Sequence, residues 1–269
     1  MAEESIRVPI DGDTSGFDQK VEGMKGTISA ASVAMGNLLS DMGKKALSAF
    51  GDMISSGDQF NQAINQMAAS TGATGAELEG LRDVVKDVYG NNFGESYEDA
   101  ANAVAEVSKQ TGLMGEELQK ATEGAFALGD TFGYEVNEST RAASALMNNF
   151  GVSAEEAYNL IAVGAQNGAD QNGDLLDTLN EYSTQYAALG LSAEQFTQSL
   201  ISGAESGAFS IDKVGDAVKE FNIRCKDGSD STAEGFAMIG MNADDMAQRF
   251  AAGGDTAQEA FFQTVQALD

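Results

Sequence analysis

The sequence predicts an all-α protein, built as an array of antiparallel helical hairpins with a period near 40 residues. Three observations favour this fold class. A glycine, an apolar residue and a helix-capping position, with an acid or amide three residues after the cap, recur together five times. Residues that favour helices dominate between these glycines, and proline occurs once, while tryptophan and histidine are absent. A repeat of this length is typical of stacked helical units.

Each of the five copies predicts a sharp corner between two helices. The copies begin at Gly72, Gly112, Gly151, Gly190 and Gly240, at intervals of 40, 39, 39 and 50 residues. Glycine after a helix tolerates the left-handed conformation that ends it. The residues expected to cap the next helix are Thr74, Ser153, Ser192 and Asn242. A methionine occupies this position in the second copy and cannot cap through its side chain, so that copy is the weakest.

Two segments precede the repeats. Residues 1–26 are predicted to hold a short edge strand at residues 5–11 and then a turn. Residues 27–70 are predicted to form a long, coiled-coil-like neck helix, because apolar or small residues from Leu39 to Met67 are spaced alternately by three and four.

Residues 71–269 are predicted to form the helical-repeat core domain. The expected helices span roughly 75–89, 96–110, 115–128, 137–149, 153–167, 174–188, 192–205, 210–222, 232–238, 242–252 and 255–269. The last of these has a helical pattern but no C-cap, which suggests that the core domain is truncated at its C-terminus.

The charge is strongly acidic, with 15 Lys and Arg against 42 Asp and Glu, a net charge of −27. No base lies between Arg141 and Lys213. A nucleic-acid-binding surface needs bases to displace counterions, so the composition argues against nucleic acid and against anionic membrane surfaces. The acids are typical of a soluble, self-repelling surface. A sharper hypothesis is a surface that must not adhere to nearby DNA.

Signals for a cellular compartment are few. The acidic N-terminus has no apolar stretch of a secretory signal, and no apolar run has the length of a membrane span. The single cysteine, Cys225, cannot form an intrachain disulfide, which fits synthesis in a reducing cytoplasm.

The order of these segments resembles the start of tail tape measure proteins of long-tailed phages. The residues that carry the resemblance are the strand and turn of residues 6–17, the neck helix, and residues 60–74, 111–118, 150–157 and 189–196. The resemblance implies a structural tail protein that determines tail length, acts in tail assembly and leaves ahead of the DNA. It implies a location in the host cytoplasm during assembly and in the lumen of the virion tail afterwards.

The same resemblance implies the partners. They are the tail tube protein, tail assembly chaperones and tail-tip or baseplate proteins, whether the phage is free or a prophage. Residues 39–67 add a possible weak homo-oligomer, because the spacing of the neck favours pairing while its alanines and glycines weaken it.

Two clusters of oxygen ligands resemble calcium loops. The first consists of Asp11, Asp13, Ser15, Gly16 and Glu22, and the second of Asp170, Asn172, Asp174 and Glu181. The first lacks an entering helix, and the second has Leu175 where the loop requires glycine. Turns and helix caps are the preferred interpretation of both, so no metal or cofactor is predicted.

An enzymatic alternative rests on Glu95. Glu95-Ser96, Gly112-Leu113-Met114 and Ala157-Tyr158-Asn159 follow the order of the lytic transglycosylase signatures, with Glu95 as the acid of a peptidoglycan-cleaving tail domain. Gly115 replaces the usual glutamine of that family. The preferred prediction is therefore a non-enzyme, and a second alternative is a generic helical-repeat adaptor that binds a protein.

Other catalytic arrangements find little support. Without histidine, Ser-His-Asp and Cys-His sites are impossible. Ser210 begins a Ser-x-x-Lys pattern but is expected to cap a helix. Cys225 lies between two bases, which could lower its pKa, yet without a partner it is interpreted as a small residue near a loop.

Overall fold

The computed structural model describes residues 57–268, and these residues form twelve α-helices and no strand. The all-α prediction is therefore confirmed for the described residues. The helices are α1 Gly57–Thr71, α2 Gly75–Gly90, α3 Tyr97–Thr111, α4 Gly115–Phe132, α5 Val136–Phe150, α6 Ala154–Gln166, α7 Leu175–Ala188, α8 Ala193–Glu205, α9 Ile211–Arg224, α10 Asp230–Met238, α11 Ala243–Ala252 and α12 Gly254–Leu268. The predicted strand at residues 5–11 and the neck up to residue 56 lie outside the described residues.

The first nine helices pack in two rows. One row contains α1, α3, α5, α7 and α9, and the other contains α2, α4, α6 and α8, with contacts between successive members of each row. From α2 to α9, each helix also contacts the next one along the chain. This order of neighbours supports stacked helix pairs. The antiparallel geometry of the predicted hairpins stays a prediction.

Small residues let neighbouring helices approach closely. A β-carbon at Gly124 of α4 would lie 3.3 Å from the ring of Tyr158, and one at Gly164 of α6 would lie 3.1 Å from Leu175. The equivalent glycine of α8, 39 residues later, faces a valine of α9 at 2.5 Å. Because these glycines recur at the repeat interval, close approach is a property of the repeat and not of one helix pair.

The described part of the predicted neck, residues 57–70, lies on α3. Ala63, Ile64 and Met67 of α1 are buried, and the ring of Phe60 lies 5.1 Å from that of Tyr97. The last positions of the neck pattern therefore contribute to the core. The domain boundaries after residues 26 and 70 stay predictions.

Candidate functional site

The five corners between helices are the most regular feature of the structure. All five corner glycines have left-handed backbone, with φ of +74° at Gly72, +71° at Gly112, +72° at Gly151, +73° at Gly190 and +75° at Gly240. The prediction that glycine ends each preceding helix in this conformation is confirmed.

Three corners are capped as the sequence predicts. The Ser153 hydroxyl accepts a hydrogen bond from the backbone N–H of Glu156, and the Asn242 side chain accepts one from Asp245. At Ser192 the capping box is complete, because the side chain of Gln195 also accepts from the Ser192 N–H at 2.8 Å. These caps satisfy donors that the helix itself leaves unpaired.

The first two corners are held by different hydrogen bonds. The predicted cap at Thr74 is wrong, since its side chain makes no capping hydrogen bond, and Met114 makes none either. Thr71 instead donates to the Met67 carbonyl at 2.8 Å and accepts from Ala73 N–H at 3.2 Å. Thr111 makes the same pair of bonds one repeat later, to the carbonyl four residues before it and from the N–H two residues after it.

The sequence contains a motif that the first two corners share. Thr-Gly-apolar-x-Gly occurs at residues 71–75 and again at residues 111–115. In both copies the second glycine also has positive φ, +56° at Gly75 and +59° at Gly115. In these two corners a side chain at the end of one helix thus bonds the loop N–H, and the next helix starts without a side-chain cap.

Polar side chains hold the first row of helices in register. Ser144 of α5 donates to the Gln110 carbonyl of α3 at 3.0 Å, and Asn149 of α5 donates to Ser183 of α7 at 2.8 Å. The side chain of Asn222 in α9 donates to that of Gln185 in α7, also at 2.8 Å. Each bond joins residues 34 to 37 positions apart, close to one repeat. Sequence analysis missed these contacts because single Ser, Asn and Gln residues carry no periodic signal.

The acids concentrate where helices begin. Every one of the twelve described helices has an Asp or Glu in its first turn, but only α3, α9 and α11 have a base in the last turn. A carboxylate near a helix N-terminus interacts favourably with the helix dipole. Much of the acidic excess is therefore explained by the number of helix starts.

Two carboxyl groups in the rows titrate above the usual range. Burial raises the pKa of Glu123, although Asn91 and Gln119 both donate to its Oε1 at 2.8 and 2.9 Å. Burial also raises the pKa of Glu156 on α6, and the neighbouring Glu194 carboxyl on α8 raises it further. Lys120 favours the charged form of Glu123, but its effect is smaller than that of burial, so the pKa still rises.

Glu95, the acid of the enzymatic alternative, lies at the rim of a surface cleft of about 640 Å³. Its side chain is exposed, and its backbone N–H donates to Asp99 Oδ2 at 3.0 Å. A general acid of a glycosidase needs an apolar surrounding that raises its pKa. Exposure denies Glu95 that surrounding, so the geometry does not favour the enzymatic alternative.

Two members of the second calcium-like cluster, Asp170 and Asn172, make contacts within the protein, whereas the buried Oδ1 of Asp174 has no hydrogen-bond partner among the described residues. Asp170 accepts from the Tyr134 hydroxyl at 2.6 Å and from the Leu175 N–H at 3.0 Å, and the Asn172 amide donates to the Phe209 carbonyl. Among residues 57–268, no three His, Cys, Asp or Glu side chains are grouped so as to hold a metal ion. The first cluster, Asp11 to Glu22, lies outside the described residues.

The remaining candidate nucleophiles, Ser210 and Cys225, lie at the two ends of α9. Ser210 precedes α9 as its N-cap residue but makes no side-chain capping bond. Cys225 is buried at the end of α9, and burial raises the pKa of its thiol to about 11. The raised pKa is the opposite of the shift that the flanking bases suggested, because desolvation outweighs the attraction of Lys226. No helix within residues 57–268 combines the length and the apolar character needed to cross a bilayer.

Comparison with known proteins finds a matching family and a similar relative. Residues 89–269 match the family described as phage-related minor tail protein. A probable tape measure protein of Streptomyces phage phiC31 is 30% identical over 154 residues, which cover 57% of this chain and 21% of that protein. The matched region thus spans about a fifth of the length of this relative. No solved structure matches the chain significantly.

Proposed function

Because the chain belongs to the phage-related minor tail protein family, we propose that it is part of a tape measure protein. In this role it is a structural component that determines tail length, supports tail assembly and leaves the tube ahead of the DNA. The observation that carries the proposal is the family match over residues 89–269, together with the similarity to a probable tape measure protein. Glu95 is exposed, so no feature of the described residues favours the peptidoglycan-cleaving alternative.

Within that role, residues 71–268 act as a folded body and not as the measuring rod. A continuous helix of 39 residues, one repeat, extends about 58 Å at 1.5 Å per residue. The corners at Gly151 and Gly190 instead fold the same 39 residues into two stacked helices. Stacking adds only about 10 Å per repeat, the distance between packed helices.

The partners of this body are the tail tube protein, the tail assembly chaperones and the tail-tip or baseplate proteins. The body occupies the tail lumen after assembly in the host cytoplasm. The acids at the helix starts suit a lumen that later conducts DNA, because a surface poor in bases offers phosphates no binding partners. The antiparallel hairpin array belongs to this proposal, and the two rows of contacts support it.

The experiment is a set of deletions in a phage that encodes the chain. Removal of residues 57–268 is expected to stop tail formation, because assembly loses the body that binds its partners. Removal of residues 151–189, one whole repeat, joins equivalent corners and keeps the rows in phase. Tails of this second mutant are expected to keep their length within about 10 Å in electron micrographs.

A matched control removes half a repeat, residues 151–170. This deletion places a helix of one row in the position of the other, so we expect misfolding and few tails. Tails of normal number after deletion of residues 57–268 would refute the structural role. Shortening by about 58 Å after loss of one repeat would show that these residues are the rod.

A further inference from the structure

A surface cleft lies where the loop between α2 and α3 meets the end of α4. It has a volume of about 640 Å³. Two segments line it, the first made of residues 92–99 and the second of residues 126–136. Ligand pockets in proteins commonly have volumes of about 300–1,000 Å³. The cleft is therefore large enough to receive several side chains of another molecule.

The lining of the cleft is acidic. Its charged residues are Glu95, Asp99, Asp130 and Glu135, and no Lys or Arg is among the residues that line it. Asp99 accepts a hydrogen bond from the backbone N–H of Glu95. The carboxylates of Glu95, Asp130 and Glu135 make no hydrogen bond or ion pair with other described residues. Because a cleft lined by one sign of charge concentrates its field, cationic groups are the ligands that it attracts.

The stability of α4 does not account for Asp130. This residue lies in the last turn of α4, which ends at Phe132 and has no base in that turn. A carboxylate is unfavourable there, because the C-terminus of a helix is the negative end of its dipole. Asp99, by contrast, lies in the first turn of α3, and Glu135 is the N-cap residue of α5. Asp130 thus adds negative charge to the cleft without stabilising its own helix.

The corresponding gaps in later repeats are closed by direct hydrogen bonds. Tyr134, in the loop between α4 and α5, donates its hydroxyl proton to Asp170, in the loop between α6 and α7, at 2.6 Å. Asn172 of that loop donates to the Phe209 carbonyl, in the loop between α8 and α9, at 3.1 Å. No hydrogen bond within the described structure spans the cleft itself. The acidic cleft is therefore open where the equivalent gaps are bridged.

Apolar surface beside the acids favours long cationic side chains. Phe126 and Val136 line the cleft and are half-buried, and the ring of Phe126 stacks on that of Phe93 at 6.4 Å. The stems of Lys and Arg pack on apolar surface while their charged ends reach acids, and an aromatic ring adds a cation–π contact. Among residues 57–268, no three carboxylates are grouped so as to hold a metal ion. Charges spread along a chain thus suit the cleft better than one compact ion.

We propose that this cleft binds an extended segment of a partner protein that carries two or more Lys or Arg side chains. The charged ends of this segment pair with the acids of both lining segments, and its stems cover Phe126. A second copy of the chain is a weaker source, because residues 57–268 contain 33 acids and only 10 bases. The proposal goes beyond the structural role in the tail, and its test needs no other tail component.

The first test measures binding of synthetic peptides to the full chain by fluorescence anisotropy. The labelled peptides carry two lysines or two arginines separated by short Gly-Ser spacers. Acetyl-lysine and citrulline replace the cations in the neutral control peptides. At low salt, where screening is weak, we expect the cationic peptides to bind one per chain and the neutral peptides not to bind.

Two double variants with the same change in charge separate the cleft from the general acidity of the chain. Glu95→Gln with Glu135→Gln removes one carboxylate from each lining segment and should weaken binding about tenfold. Glu77→Gln with Glu79→Gln removes two exposed carboxylates of α2 outside the cleft and should weaken it less than about twofold. If circular dichroism shows that the cleft variant misfolds, Asp130→Asn replaces it, with Glu77→Gln alone as control. Loss of a carboxylate from the last turn should not destabilise α4.

Carbodiimide coupling followed by mass spectrometry locates the bound peptide. We expect the lysine peptide to couple to the cleft carboxylates in preference to Glu77 and Glu79. Three results would overturn the proposal. Equal loss of affinity in the two double variants would indicate general attraction to an acidic surface. Binding of spermine as tight as that of the peptides would indicate a site for a small polyamine. Self-association of the parent chain that Glu95→Gln with Glu135→Gln abolishes would identify a second copy as the occupant.

Discussion

The helices from α3 to α8 and those from α9 to α12 differ in how much they bury. Each helix of the first group buries five to eight residues, whereas each of the second buries one to three. A helix inside the rows has neighbours on both sides, while the last helices have neighbours on one side. The difference follows from position, since a helix with neighbours on both sides buries more of its residues than a helix at the end of the rows.

Aromatic rings compensate in part for the thin core of α9–α12. The ring of Phe221 lies 5.3 Å from Phe250 and 5.5 Å from Phe261, both edge to face. Phe236 lies 6.5 Å from Phe250 on the other side. Helices α3–α8 also contain ring contacts, such as that of Tyr186 with Phe196 at 4.0 Å, but there alanines and glycines additionally allow close helix contact. This change in packing begins where the interval between successive corner glycines lengthens from 39 to 50 residues.

The largest expected effect comes from shortening one buried side chain in each of the two regions. Leu160→Ala in α6 removes a fully buried side chain and should lower the free energy of unfolding by about 3 kcal/mol. Phe236→Ala should instead release α10–α12 locally and leave α3–α8 folded. Thermal unfolding with hydrogen exchange distinguishes the two outcomes. Global unfolding of the Phe236→Ala protein would show that the regions are one cooperative unit.

The next effect tests the junction between the regions. Gly190 adjoins α12, since a β-carbon there would collide with the Gly254 carbonyl, and Gln258 donates to the Gly190 carbonyl at 2.9 Å. Gly151 has the same φ but open space around it. Gly190→Ala should therefore cost about 2–3 kcal/mol and Gly151→Ala about 1 kcal/mol in thermal melts. Equal costs would mean that the contact with α12 is unimportant.

A smaller effect distinguishes the two kinds of corner. Thr71→Ala, Thr111→Ala, Ser153→Ala and Ser192→Ala should each cost about 1 kcal/mol, because each loses a bond to an unpaired backbone group. Thr74→Ala should be nearly neutral, because Thr74 makes no capping bond. Urea unfolding of the five variants provides the comparison. A Thr74→Ala cost equal to that of Ser192→Ala would contradict the absence of a capping bond at Thr74.

Local chemistry explains what the sequence could reveal about this fold. The φ of Gly151 and the cap at Ser192 depend on a few adjacent residues, so a short motif predicts them. The loop bond of Thr71 was missed because threonine is a common N-cap, and Thr74 occupied the expected position. Both residues are threonines, and only the backbone geometry selects between them.

The contacts between repeats could not be predicted from the sequence, for a different reason. The bond from Asn149 to Ser183 depends on the rotation and offset of two helices 34 residues apart. The raised pKa of Glu123 depends on burial by helices whose packing no local pattern specifies. The same holds for the contact of Phe221 with Phe261, which depends on the packing of α9 on α12.

The smallest expected effect is a dependence of stability on pH, and it comes from one carboxyl group in α4 and one in α6. Folding raises the pKa of Glu123 and of Glu156, so the native state holds their protons more tightly than the unfolded state does. Stability from these groups is therefore greatest below the unfolded pKa and falls as the pH rises toward the folded pKa. Glu123→Gln and Glu156→Gln, which mimic the protonated forms, should raise the melting temperature at pH 7 and flatten its decrease above pH 4. Glu155→Gln is the control, because Glu155 is exposed beside Glu156 and should change the melting temperature less. A lower melting temperature for both buried-site variants at pH 7 would mean that their charged forms stabilise the rows.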